Sequence, residues 1–145
     1  MRVSEVMSRD VHIASPDQSI CDAARLMADL DTGVLPVGEN DRLIGVITDR
    51  DIAVRAVAAN KSPDTAVREV MSKELLYCFD DQDLEDVADN MSAQKVRRLP
   101  VVDRDKRLVG IISLGDVARK ERSQTVGQTV ADISEPGGQH SQTLQ

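Results

Sequence analysis

Leu43-Ile44-Gly45-Val46-Ile47-Thr48-Asp49-Arg50-Asp51 returns 65 positions later as Leu108-Val109-Gly110-Ile111-Ile112-Ser113-Leu114-Gly115-Asp116. Each copy is a near-continuous apolar run that ends in a hydroxyl residue, with an aspartate three places on. A run without polar alternation predicts a strand covered on both faces. A hydroxyl residue followed at that spacing by an acid is a helix-start pattern. The chain is therefore expected to pass from strand to helix at Thr48 and again at Ser113.

Working outward, the duplication continues. Leu35-Pro36 matches Leu99-Pro100, Met27 matches Met91, and Val3-Ser4-Glu5-Val6-Met7-Ser8 matches Val67-Arg68-Glu69-Val70-Met71-Ser72, all 64 positions apart. The change from 64 to 65 places one inserted residue in the polar stretch Asp103 to Arg107, where a turn absorbs it. Two copies point to a pseudo-symmetric pair, because a solenoid needs more units.

Each copy reads as a short helical lead followed by β-α-β-β-α. First strands are expected at Val11 to Ala14 and at Leu75 to Phe79. A helix follows in the first copy, with Ile20, Ala23, Ala24, Met27 and Leu30 on one face and Ser19 as its cap. The second copy repeats it with Leu84, Val87, Ala88 and Met91, capped by Asp83. Val34 to Val37 and Leu99 to Val102 are short strands whose prolines suit a sheet edge. Polar turns at Gly38 to Asp41 and Asp103 to Lys106 lead to the strands Leu43 to Ile47 and Leu108 to Ile112. Closing helices are expected over Asp49 to Asn60 and Leu114 to Arg122. The organisation is residues 1–60 for the first repeat, 61–66 for a linker and 67–122 for the second repeat. Residues 123–145 form a polar, glycine-containing tail expected to be disordered and dispensable.

Composition narrows the function. The 145 residues are 41% hydrophobic but only 1% aromatic, so Val, Ile, Leu, Met and Ala must build the core. With Tyr77 and Phe79 as the whole aromatic complement, and a formal net charge of -7, neither base stacking nor phosphate-backbone binding is favoured. Cys21 and Cys78 form no CxxC pair, and His12 and His140 stand alone, so no metal site is expected. No apolar stretch approaches a membrane span, and the expected location is the cytoplasm. No Ser-His-Asp or Cys-His set is evident, which argues against an enzyme.

The doubled order of Val-x-x-Val-Met, Leu-Pro-Val and apolar-Gly-apolar-apolar-[Thr/Ser]-x-x-Asp resembles a tandem CBS domain pair over about Met1 to Lys120. The resemblance implies an α/β fold of two pseudo-symmetric CBS repeats forming one compact pair. It also implies a homodimer, and clefts between the repeats that take AMP, ADP, ATP or S-adenosylmethionine. The role implied is regulation, exerted on an effector protein or through the dimer itself.

On that resemblance Asp51 and Asp116 bind ribose, with Thr48 and Ser113 nearby. Arg97 and Arg98, just before Leu99-Pro100, meet phosphate, and Arg50 is a further candidate. Ile13-Ala14 and Tyr77-Cys78 supply adenine contacts. The family geometry crosses the repeats, setting Thr48 and Asp51 with Tyr77, Cys78, Arg97 and Arg98, and Ser113 and Asp116 with Ile13, Ala14 and Arg50. From the residues alone, Thr-x-x-Asp and Ser-x-x-Asp are equally simple capping boxes, Ile13 is a core residue, and Arg42, Arg104 and Arg107 are ordinary surface arginines. The rival to a ligand sensor is a ligand-free dimerisation or protein-interaction module of the same fold.

Overall fold

The duplicated hairpins carry the fold. In the computed structural model, which describes residues 1–74, 76–120 and 131–133, strands β1 (Val34–Glu39) and β2 (Arg42–Thr48) pair antiparallel. Asn40 and Asp41 close the turn at positive φ (55° and 63°), which matches the twist of a two-residue hairpin and suits these short polar side chains. The second hairpin joins β4 (Arg98–Val102) to β5 (Leu108–Ser113). Its longer turn holds the inserted residue, and Asp103 Oδ1 accepts from the amides of Asp105 and Arg107, each at 2.9 Å.

The prolines sit differently from expectation. β4 is the middle strand of the sheet β3-β4-β5, with β3 spanning Cys78–Phe79, so Pro100 is not at an edge. It is tolerated because its partner Ile111 exchanges both backbone bonds with Ser8 on the far side (2.9 Å each) and needs nothing from Pro100. Pro36 opposes Val46, which is likewise engaged with Ser72 (2.9 and 2.8 Å). The same prolines shorten the first strands. The Ala14 amide donates to Pro36 O, and its carbonyl accepts from the Gly38 amide. A parallel ladder extended backward would next need the N–H that proline lacks. Val11 to Ala14 thus contributes one bridge at Ala14, and the strand expected from Leu75 is only Cys78–Phe79.

Helix α1 (Ile20–Leu30) starts where Ser19 Oγ accepts from the Asp22 amide at 3.1 Å, and it buries Ile20, Ala23 and Met27. Ala24 and Leu30 are exposed instead. Helix α3 (Leu84–Gln94) buries Leu84, Val87, Ala88 and Met91, but Asp83 makes no side-chain cap. The first amide of each helix is met by a backbone carbonyl from elsewhere in its unit, Leu84 by Met1 O and Ile20 by Thr65 O. The expected Asp49–Asn60 helix is one α turn, α2 (Asp49–Asp51), running into a π-helical stretch Ile52–Val57. Helix α4 (Leu114–Lys120) is regular.

Two packing units result, and they do not follow the repeats. His12–Leu75 forms one, and Met1–Val11 joins Leu76–Gln145 in the other. The 3-10 lead Val67–Glu69 thus belongs with the first repeat, where Val67, Val70 and Met71 share a core with Ile20, Leu35 and Ile47. The lead Val3–Glu5 belongs with the second, its Val3 and Met7 packing with Cys78, Leu84 and Ile112. Of the tail expected to be disordered, 131–133 is helical and Ile133 packs against this second core; the rest lies outside the described residues. No helix among the described residues is long and apolar enough to cross a membrane.

Glycine makes the lead docking possible. A Cβ on Gly45 would lie 2.6 Å from Ser72 O, and one on Gly110 would lie 2.8 Å from Ser8 O. Both obstacles are backbone and cannot swing away. Gly45→Ala and Gly110→Ala should therefore each lower the unfolding free energy by about 1–3 kcal/mol, the usual cost of overpacking. Urea titration of both variants checks this, and wild-type midpoints would show that the leads are not held there.

Candidate functional site

Thr48 and Ser113 each end a strand and begin a helix. Thr48 Oγ1 accepts from the Asp51 amide (2.9 Å), and Asp51 Oδ2 accepts from the Thr48 amide (3.0 Å). Ser113 and Asp116 repeat the box at 3.1 and 2.9 Å. The carboxylates are largely withdrawn from water, with side chains 12% exposed at Asp51 and 14% at Asp116. Here the carboxylate itself is half of the cap, through one oxygen. The other oxygen faces an arginine on the next turn: Asp51 Oδ1 lies 3.8 Å from Arg55 Nε, and Asp116 Oδ1 is bonded to Arg119 Nη2. Arg55 Nη1 also donates to Met71 O (3.3 Å) and reaches Val70 O (3.5 Å), tying the box to the lead segment. Neither arginine stood out in the sequence, although i+3 and i+4 spacing from an acid is a readable signal.

The hairpin register sets the residue before each Leu-Pro strand against its own box. Val34 pairs with Thr48, and Arg98 with Ser113. The Asp49 amide donates to Gly33 O (2.9 Å), and the Leu114 amide to Arg97 O (2.7 Å). Arg97 and Arg98, both exposed, are thus beside Ser113 within one unit. At the matching place in the other unit there is no side chain at Gly33. The Asp49 carboxylate covers it instead, 2.8 Å from where a Cβ would stand. An open pocket of about 380 Å³ adjoins it, lined by Met27, Thr32, Gly33, Asp49 and Ile52 among others. Asp49 was missed because an acid in a helix's first turn reads as ordinary dipole complement.

The adenine candidates divide by strand alternation. Ile13 is 41% exposed, so it is not the core residue expected, whereas Ala14 is fully buried. Cys78 is likewise core. Burial pushes the Cys78 thiol up to about 12, with the nearby Asp80 charge adding to the shift. Tyr77 is half-buried and meets Phe79 edge to face at 5.6 Å. Arg50 is exposed, and its amide donates to Asp49 Oδ1 at 2.8 Å. Arg104 is no ordinary surface residue. It forms a two-pronged pair with Asp81 (2.8 Å each), lies 4.2 Å from the centre of the Phe79 ring, and holds the Asp81 carboxyl below its usual range. Among the described residues no group of three or more His, Cys, Asp or Glu side chains is placed to hold a metal.

The two thiols should separate in reactivity. Cys21 is partly exposed and Cys78 is buried with its thiolate disfavoured. At pH 8 a thiol reagent should label one cysteine per native chain quickly, and the second only after denaturation. Fast labelling of both would mean that β3 opens readily.

Comparison with known proteins gives a consistent result. The CBS domain family pattern matches residues 3–57 and 67–123. The CBS domain-containing protein YhcV of Bacillus subtilis (strain 168) is 41% identical over 91% of this chain and 94% of its own length. The solved structure of CBSX2 in complex with AMP superposes with a TM-score of 0.70 at 31% identity, covering 81% of this chain and 93% of that one. The CBS domain pair of protein MJ0100, in complex with 5′-methylthioadenosine and S-adenosyl-L-methionine, gives 0.70 at 30% identity, covering 82% and 94%.

Proposed function

Because the chain belongs to the CBS domain family, as two repeats in one polypeptide, we propose that this regulatory pair is a cytoplasmic sensor of adenosyl ligands, with AMP, ADP or ATP as its nucleotides. The observation that carries this reading is the doubled carboxylate. Asp51 and Asp116 are each rigidly held through one oxygen, while the other oxygen is held by an arginine of the next turn. A ribose diol replaces such a partner by donating two hydrogen bonds to the carboxylate, and bonds to an ionised acceptor are the strong kind. AMP in CBSX2, and methylthioadenosine with S-adenosylmethionine in MJ0100, support the ligand class. Arg97 and Arg98 beside Ser113 supply positive charge for a phosphate.

Asp116→Asn keeps the shape and the Ser113 cap geometry but removes the charge. It should weaken AMP binding about tenfold or more, since a charge-assisted bond contributes roughly 1.5–3 kcal/mol. Titration calorimetry with AMP, ADP, ATP and S-adenosylmethionine reads this out, with circular dichroism confirming the fold. Unchanged affinity would leave the aspartates as helix caps alone.

A second reading, a ligand-free dimerisation or protein-interaction module, has one observation in its favour. Val54 and Val57, on the π-helical stretch, are 51% and 66% exposed, and Leu30 is also uncovered. Scattered apolar side chains are common, but neighbours on one short helical segment suit a partner surface. A homodimer formed through this face satisfies both readings. Light scattering should give about twice 15.8 kDa for the wild type and the monomer value for Val57→Glu. A monomeric wild type at high concentration would remove the dimer.

A further inference from the structure

Asp51 and Asp116 both face an arginine, but those arginines reach different things. Arg119 is bonded to Asp116 from three residues on, along the regular helix α4. Arg55 stands four residues beyond Asp51, on the π-helical stretch Ile52–Val57. Bonds there span five residues, as from the Ala58 amide to Ala53 O (3.0 Å), a pattern often found at functional positions. Arg55 Nε lies 3.8 Å from Asp51 Oδ1, while Nη1 donates to Met71 O (3.3 Å) and reaches Val70 O (3.5 Å). One side chain thus spans the box and the segment Val67–Ser72, all within one unit. Among the described residues the Arg119 guanidinium makes no hydrogen bond to the corresponding segment, Val3–Ser8.

We propose that Arg55 is a coupling residue: an adenosyl ligand that takes Asp51 Oδ1 releases Arg55 from the carboxylate and loosens the end of the Val67–Ser72 segment. This rests on the proposed adenosyl reading and adds to it how occupancy of that site is passed on. Asp51 Oδ2 is committed to the Thr48 amide, so Oδ1 is the oxygen left for a diol, and the guanidinium already faces it. At 3.8 Å that contact is an ion pair without a hydrogen bond, whereas a ribose hydroxyl bonds the same oxygen at about 2.7 Å. The Asp51 side chain is 12% exposed and that of Arg55 is 55% exposed, so the arginine is the partner able to leave for water. An exposed pair of this kind contributes little, and exchanging it leaves the unit folded. Without the carboxylate, the guanidinium keeps only its long bonds to two carbonyls, and the Ser72–Val46 backbone pair beside them loses a brace. Ser72 comes shortly before the chain enters the other unit at Leu76. By reciprocity, whatever frees Arg55 from Asp51 also favours the ligand.

The test is amide hydrogen exchange on the full chain, read residue by residue by NMR with and without adenosine, beside calorimetry. Adenosine carries no charge, so it separates competition for Asp51 from attraction by Arg55. In wild type, saturating adenosine should speed exchange at the Ser72 and Val46 amides about threefold, the size an exposed ion pair supports, with Ser8 and Ile111 no faster than before. Arg55→Met should show the faster Ser72 and Val46 rates without ligand, lose the response to adenosine, and bind adenosine about threefold more tightly. Arg25→Met, which removes an exposed arginine of α1, should match wild type in all three respects and controls for net charge. Slower or unchanged exchange at Ser72 and Val46 on binding overturns the inference and leaves the adenosyl reading standing. So does an Arg55→Met variant that binds adenosine more weakly or still responds to it, or an Arg25→Met variant that shows the same gains. A wild type that binds AMP but not adenosine overturns the inference alone, and one that binds neither removes the reading with it.

Discussion

The backbone bonds between Ser72 and Val46, and between Ser8 and Ile111, determine how this chain is assembled. Each fixes a lead segment against the last strand of a unit that already holds a hairpin and a helix. They form only because Gly45 and Gly110 have no Cβ. The consequences spread outward. With Val46 and Ile111 bonded on that side, proline is acceptable opposite them. With proline there, the parallel first strands cannot lengthen. With the leads in place, Val67 and Val70 in one unit and Val3 in the other complete cores that have no large aromatic residues to fill them. The short first strands and the pairing of a Leu-Pro strand with a glycine-bearing strand in each copy thus follow from one constraint.

The duplication, the hairpins, α1, α3 and the strand-to-helix turns were all legible in the sequence, because periodicity and capping chemistry are local. What was not legible depended on partners distant along the chain. Asp83 has the right identity for a cap yet makes no side-chain cap, and the Leu84 amide finds its acceptor at Met1 O, at the far end of the chain. Pro100 looks like an edge residue until Ser8 is known to engage Ile111. Ile13 and Ala14 are adjacent and both apolar, and only the Ala14 bridge to Val37 decides which of them is buried. Arg104 gained a role because the inserted residue lengthens its turn, and Phe79 and Asp81 lie across from it. Asp49 could not be distinguished from a routine first-turn acid without the contact over Gly33.

The boxes also make the two carboxylates part of the fold's own support. A carboxylate that caps a helix through one oxygen is pre-positioned for anything that binds through the other, so little ordering cost remains at binding. The same economy makes the aspartates hard to change without loosening the helix start. In the first-repeat unit the coupling reaches further, since Arg55 bridges Asp51 to the carbonyls of Val70 and Met71. Any group that takes Asp51 Oδ1 from Arg55 alters how that arginine holds the lead segment. Arg119 pairs with Asp116 one helical turn away, on the regular helix α4.

Duplication gives two boxes by default. The two units kept everything that builds the box: the apolar strand, the glycine, the hydroxyl and the aspartate. They diverged at the pair of positions that the hairpin register places beside it, Gly33 with Asp49 against Arg97 with Leu114. Those positions are free to vary because they contribute one backbone bond to the fold, and that bond is made by any residue with an amide and a carbonyl. Charge is the cheapest property to change there, since a surface side chain can be exchanged without repacking the core. The result is a difference of two unit charges beside otherwise equivalent carboxylates.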